Sequence, residues 1–284
     1  MNFKLKALVA ALVLSASATS ANAAISSNNG NSELFFNAWD SATGVGYTYD
    51  LNWTKFLNDM VGIDQTANAA GNTLLAANAV VQSSMIGAGG VIFDDVLAGF
   101  NLGSSSTAQW SLGAYDNVGR TRLLVTQGDS NLPFTSNNNQ VKDAVTLWGA
   151  FTPAANGFAA AAVDDTYSQT VIANGVAYAG NNGNGLNNKV ADITNVLGGS
   201  SFMYLLAQTT QTSSAAASFN QQLMSFDGKA IVAKTYLQDN VWRLRIGGLR
   251  EVAAVPEPET YTMMLVGFGM MGFMARRRKQ SSVA

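Results

Sequence analysis

The chain has 284 residues, with no cysteine, no histidine and only 12% charged residues. This excludes a disulfide framework, a thiolate metal site and the commonest general base, and it leaves solubility to amides and hydroxyls. The formal charge of −2 averages unlike segments: six of the sixteen cations are terminal, and residues 24–255 hold ten cations against sixteen anions, a net of −6, which offers no electrostatic footprint for nucleic acid.

At the N-terminus, MNFKLKALVAALVLSASATSANAA opens with Lys4 and Lys6 and continues through an apolar run from Ala7 to Leu14. It closes on small residues, with Ala21 and Ala23 at the cleavage-determining positions. This pattern predicts a signal peptide over residues 1–23, cut after Ala23 by signal peptidase once the secretion machinery has engaged it. As a membrane anchor the apolar run is about half as long as a bilayer requires.

Residues 24–254 read as a mainly β extracellular domain. GNSELFFNAWD and GVGYTYDLNW form a first hairpin, and WTKFLNDMV follows as a short helix. TANAAGNTLLAANAVVQSS is ambiguous between helix and strand. AQWSLGAYDNVGRTRLLVTQG places two alternating runs around Asp116-Asn117-Val118-Gly119, which is hairpin punctuation. Val141, Ala144, Val145 and Trp148 recur at helical intervals, and the stretch from Val141 to Ala162 is a candidate second subdomain. AYAGNNGNGLNNKVAD, rich in Gly and Asn, predicts a loop.

QQLMSFDGKAIVAKTYLQDNVWRLRIGG predicts three strands joined at Asp227-Gly228 and Asp239-Asn240. In the last of them Val241, Arg243 and Arg245 face one way, and Trp242, Leu244 and Ile246 the other. The expectation is a single β-sandwich-like domain of two sheets with a few short helices.

Candidate chemistry in the body is sparse. Gly128-Asp129-Ser130 resembles the serine motif of GDSL-type esterases, but no histidine exists to activate the serine. Asp94-Asp95 and Asp164-Asp165 are carboxylate pairs and weak candidates for a structural Ca2+ site, which calls for oxygen ligands; no other cofactor is expected. Neighbours in a strand point to opposite faces, so neither pair alone flanks a sugar bond as a glycosidase requires. Trp39, Tyr47, Tyr49 and Trp53 cluster within fifteen residues. They are candidate glycan-contact aromatics if exposed, with core packing as the competing reading.

The tail begins with Val255-Pro256-Glu257-Pro258. The two prolines hold their predecessors extended and remove two backbone donors. Sixteen uncharged residues, Thr260 to Ala275, then predict a transmembrane helix of roughly 24 Å, short of a ~30 Å hydrocarbon core unless the bilayer thins or the flanking cations snorkel. Arg276, Arg277, Arg278 and Lys279 keep that end cytoplasmic, with residues 280–284 as a cytoplasmic tail, and leave the body on the outer side.

The order of motif, span and basic cluster resembles the PEP-CTERM sorting signal of Gram-negative bacteria. The resemblance covers the tail alone. It implies processing by exosortase, a membrane enzyme that removes the tail at or near the motif, after transient anchoring in the inner membrane. The cell surface or extracellular space is the implied destination. A non-enzymatic surface or matrix protein associated with exopolysaccharide in a biofilm is therefore expected, with a secreted carbohydrate-active hydrolase using two aspartates as the alternative.

Overall fold

The computed structural model describes residues 25, 32–51, 80–102, 107–117, 119–127, 136–158, 167–190, 193–210 and 214–248. In chain order the strands and helices are β1 (Phe35–Asp40), β2 (Val45–Asp50), β3 (Val80–Val81), β4 (Val91–Val96), β5 (Ala108–Asp116), β6 (Arg122–Thr126), α1 (Asn138–Asn156), β7 (Tyr167–Val171), α2 (Ala179–Val190), β8 (Asn195–Val196), β9 (Ser200–Ala207), β10 (Phe219–Gln222), β11 (Met224–Ser225), β12 (Ile231–Gln238) and β13 (Val241–Gly248).

Local turn chemistry builds three hairpins where the sequence predicts them. β1 pairs with β2, β5 with β6, and β12 with β13, each antiparallel. Asp239 and Asn240 both adopt positive φ, 52° and 61°, which makes a two-residue turn whose twist matches the strands it joins. The turn at Asp227-Gly228 also forms, with the Gly228 amide donating to the Ser225 carbonyl at 3.0 Å. The segment before it pairs only briefly across that turn, with Met224 bridging Ala230 antiparallel. Residues 219–222 pair with β9, and 224–225 also run parallel to β3.

Eleven strands of the described residues join into one antiparallel sheet in the order β4-β13-β12-β9-β6-β5-β1-β2-β7, with β10 added to β9 and β8 to β5. The fold is mainly β as expected, but the layering differs from two separate sheets. One continuous sheet curls until its ends share a core: Leu244 and Ile246 of β13 lie in the same apolar cluster as Tyr47 and Tyr49 of β2.

The segment that follows edge strand β4 closes the curl. The Tyr47 hydroxyl donates to the Ala98 carbonyl at 2.6 Å, and Gln169 Nε2 of the opposite edge strand, β7, donates to the Gly99 carbonyl at 2.9 Å. Phe100 sits between Tyr47 and Trp242, at centroid distances of 5.0 and 6.1 Å. Loop and side-chain contacts thus tie the segment after one edge strand to the other edge strand.

The outer face carries a second core beneath α1. This helix starts at a reciprocal capping box, in which Asn137 Oδ1 accepts from the Gln140 amide at 3.0 Å and Gln140 Oε1 from the Asn137 amide at 2.9 Å. Its apolar stripe of Val141, Ala144, Val145, Trp148 and Phe151 packs on Phe35, Tyr115, Leu123 and Val125. A Cβ at Gly113 would come within 1.7 Å of the Trp148 ring, so glycine is what lets the indole lie against the strand. Because α1 rests on the sheet, residues 141–158 belong to the same body and not to a second subdomain; residues 159–162 lie outside the described residues.

Residues 179–190, expected as a loop, are helical. The glycines that lower intrinsic helix propensity by about 1 kcal/mol each are contact points. A Cβ at Gly183 would fall 2.1 Å from the Trp39 ring, at Gly180 2.4 Å from Tyr178, and at Gly185 2.7 Å from Leu147. Tertiary packing at close approach outweighs the local preference.

Candidate functional site

The curl determines where the predicted site residues go. Trp39 and Tyr47 are fully buried, and Tyr49 is 7% exposed. They are core residues and present no face on which a sugar could stack, because the strands that carry them are covered on both sides. Burial first, then the neighbouring Tyr49 and Tyr167, push the Tyr47 phenol far above its ordinary pKa. Trp53, Asp164, Asp165 and the Gly128-Asp129-Ser130 triplet lie outside the described residues, as do Ala21 and Ala23, the Val255-Pro256-Glu257-Pro258 motif and the 276–279 cluster.

Asp94 and Asp95 part company on β4. Asp95 lies opposite the core residue Leu244, whereas Asp94 lies opposite Arg245. Asp94 is already occupied: Oδ1 accepts from the Tyr236 hydroxyl at 2.8 Å and from Arg243 Nε and Nη2, both at 3.2 Å, and Oδ2 lies 3.8 Å from Arg245 Nη1. Its oxygens serve arginines and a phenol. Among the described residues no cluster of three or more acidic side chains is placed to hold a metal.

Asp94 therefore marks a different site. The predicted alternation along β13 holds, with Leu244 and Ile246 buried and Arg243 and Arg245 on the outer face. Across the ladder, Lys234 pairs with Arg245 and Arg245 with Asp94, while Tyr236 pairs with Arg243. Period-two geometry places all five side chains on one surface. Arg243 Nε also donates to the Tyr236 hydroxyl at 3.1 Å, and Lys234 Nζ stands 6.0 Å from the centre of the Tyr236 ring.

Both arginines and Asp94 are about a quarter exposed, at 26, 28 and 26%. The Tyr236 phenol is raised, first by burial and then by its bond to Asp94, and the Arg243 guanidinium is raised, first by its bond to Tyr236. The helices lie over β1, β2, β5, β6, β7 and β9. Farther along the same face, β12, β13 and β4 carry this patch of three cations, one carboxylate and one phenol.

Sequence reasoning placed Arg243 and Arg245 on one face, but missed Lys234 and Tyr236 as their neighbours and Asp94 as their partner. The alternation in Val232, Lys234 and Tyr236 would have grouped the first two. Nothing local could have brought Asp94 to Arg243, 149 positions away.

A second aspartate–arginine pair lies where no solvent reaches. Asp116 and Arg122 face each other where β5 and β6 meet, both side chains at 0% exposure, with Arg122 Nε donating to Asp116 Oδ2 at 3.0 Å and Nη2 donating to the same oxygen. Around α2, the Trp39 indole N–H, Thr170 Oγ1, the Tyr178 hydroxyl and both polar side-chain atoms of Asn182 are buried without a hydrogen-bond partner among the described residues.

Comparison with known proteins bears on the other end of the chain. Residues 254–279 match the family model of the PEP-CTERM protein-sorting motif. The tail is a PEP-CTERM motif. It indicates an exported protein that is anchored at the membrane and then handed to exosortase. The PEP-CTERM match begins after the last described residue, Gly248, and leaves the β body unassigned. No curated protein and no solved structure matches the chain. Among the described residues no helix is long and apolar enough to cross a membrane, and the predicted span over 260–275 lies outside them.

Proposed function

We propose that the β body is a non-enzymatic surface or matrix protein, released outside the cell by exosortase and held there by association with exopolysaccharide. The PEP-CTERM motif at residues 254–279 carries the reading, because it determines the compartment in which any partner must be met. The cationic patch supports it by offering a partly exposed surface on an otherwise acidic body. Two of the described carboxylates add to this: Asp94 and Asp116 are each bound by arginine, an arrangement that suits structure better than proton transfer.

Three experiments test the sorting and the non-enzymatic parts separately. In an exosortase-null strain the body should remain in the membrane fraction with its tail attached; release of a tail-free body from that strain would refute the sorting step. Changing Pro256-Glu257-Pro258 to three alanines should produce the same retention in a wild-type strain, since neither the apolar span nor the terminal cations are altered. For the non-enzymatic part, the released protein is incubated with polysaccharides, with and without calcium. Turnover that a single Asp→Asn change abolishes would replace this reading with a hydrolase.

A further inference from the structure

The exopolysaccharide reading leaves the class of glycan open, and the outer face of β12, β13 and β4 narrows it. Resting on that reading, we propose that Lys234, Arg243, Arg245 and Tyr236 form a docking surface for an acidic polysaccharide, a chain whose sugars bear carboxylate or sulfate groups.

Three observations converge. The first is charge: three of the body's ten cations occupy one small surface against, among the described residues, a single facing carboxylate, on a body whose net charge is −6. The other nearby carboxylates do not neutralise it. Asp95 alternates to the opposite side of β4, and Asp239 sits in the turn beyond the ends of β12 and β13.

The second is spare hydrogen-bonding capacity. A guanidinium has five N–H donors in a fixed fork. Arg243 spends Nε and Nη2 on Asp94 and Tyr236, and Arg245 approaches Asp94 only through Nη1 at 3.8 Å. The remaining donors and the Lys234 ammonium stand on a partly exposed surface, where a ligand carboxylate or sulfate can accept from them.

The third is preorganisation. Asp94 bonds both Arg243 and Tyr236 and lies beside Arg245, which restricts side chains that would otherwise lose rotamer freedom on binding. Asp94 is thus a positioning residue, and it is also the internal competitor of an incoming anion. Nucleic acid is the competing polyanion. Its phosphate spacing of about 1.7 Å along a duplex axis asks for many closely set cations, and three on a net-acidic body do not supply them.

Affinity electrophoresis of the protein released from producing cells tests the proposal, with alginate, a polyuronate, or neutral dextran cast in the gel. Alginate should retard the wild-type protein and dextran should not, and added salt should erase the retardation. Lys234→Gln/Arg243→Gln/Arg245→Gln should weaken alginate binding about tenfold, as expected from losing three solvent-exposed ion pairs. Asp94→Asn removes the internal competitor while keeping a hydrogen-bond acceptor, and should strengthen binding; a merely structural Asp94 would weaken it or change nothing.

If the triple variant does not fold, Lys234→Gln alone, at an exposed position, should still lower the retardation. Unchanged alginate retardation in a folded triple variant overturns the proposal. Retardation by dextran alone overturns it while leaving the exopolysaccharide reading standing, and retardation by neither glycan removes both. Equal retardation by alginate and DNA overturns the assignment to glycan.

Discussion

Arg122 and Arg243 each bond an aspartate across a pair of β-strands, and they belong to opposite economies. The Arg122–Asp116 pair has no exposed surface, so neither charge could exchange its partner without unfolding the end of the β5–β6 hairpin. The Arg243–Asp94 pair is 26% exposed on both sides, adjoins two further cations, and keeps donors to spare. Identical side-chain chemistry serves architecture in one place and a surface open to ligands in the other. Solvent access makes the difference: it screens the outer pair and lets a competing anion approach, whereas the inner pair can be stable only if it is complete.

The comparison breaks most readily at its buried end. Arg122→Met leaves the Asp116 carboxylate buried without its cation and should destabilise the body by about 3–5 kcal/mol in urea unfolding. Adding Asp116→Leu should recover a large part of that loss, because removing both charges removes the penalty as well as the attraction. A single variant that unfolds with the wild-type midpoint would show that the inner pair is not architectural.

The outer face itself contrasts a covered part with an open one. Under α2, a methyl group at Gly183 meets the Trp39 ring, so Gly183→Ala should cost about 1–3 kcal/mol by overpacking despite its better helix propensity. Thermal unfolding would measure this, and a gain in stability would mean that α2 does not rest on Trp39 as described.

Tyrosines extend the contrast to pH. Below pH about 10, folded and unfolded chains both keep the Tyr47 phenol protonated and its contribution to stability is complete. Above that value the unfolded chain releases the proton while burial makes the folded chain retain it, so stability should fall by about 1.4 kcal/mol per pH unit from this residue. Tyr47→Phe should flatten that loss, at the cost of the bond to the Ala98 carbonyl, about 0.5–1.5 kcal/mol. Tyr236, in the open patch, should titrate in the ultraviolet spectrum without unfolding the protein. Phenolate absorbance from Tyr47 in a still-folded body would contradict its place in the core.

The smallest stability effect belongs to the open pair. Arg243→Gln should change unfolding free energy by less than about 1 kcal/mol, the range of solvent-exposed ion pairs, while altering the electrophoretic response to a polyanion. A cost comparable to that at Arg122 would erase the distinction between the two pairs.

Much of this molecule was legible from local chemistry. The three hairpins follow from turn residues set between alternating runs, since Asp239-Asn240 accepts positive φ and period-two patterning assigns Leu244 inward and Arg243 outward whatever the rest of the chain does. The helix at Asn138–Asn156 follows from its cap and its apolar stripe, and the sorting tail from a linear order of motif, span and cations that needs no folding to be read. Tertiary structure decided the remainder. A Gly-Asn-rich segment became α2 because Trp39, Tyr178 and Leu147 require its bare backbone at close range, and strands expected in two sheets joined into one because β9 pairs with both β6 and β12. Asp94, read as half of an adjacent carboxylate pair, became the partner of Arg243 and Tyr236. Propensity and alternation act over a few residues, whereas close packing, curl and charge pairing join positions from tens of residues to 149 apart, which only the folded chain brings together.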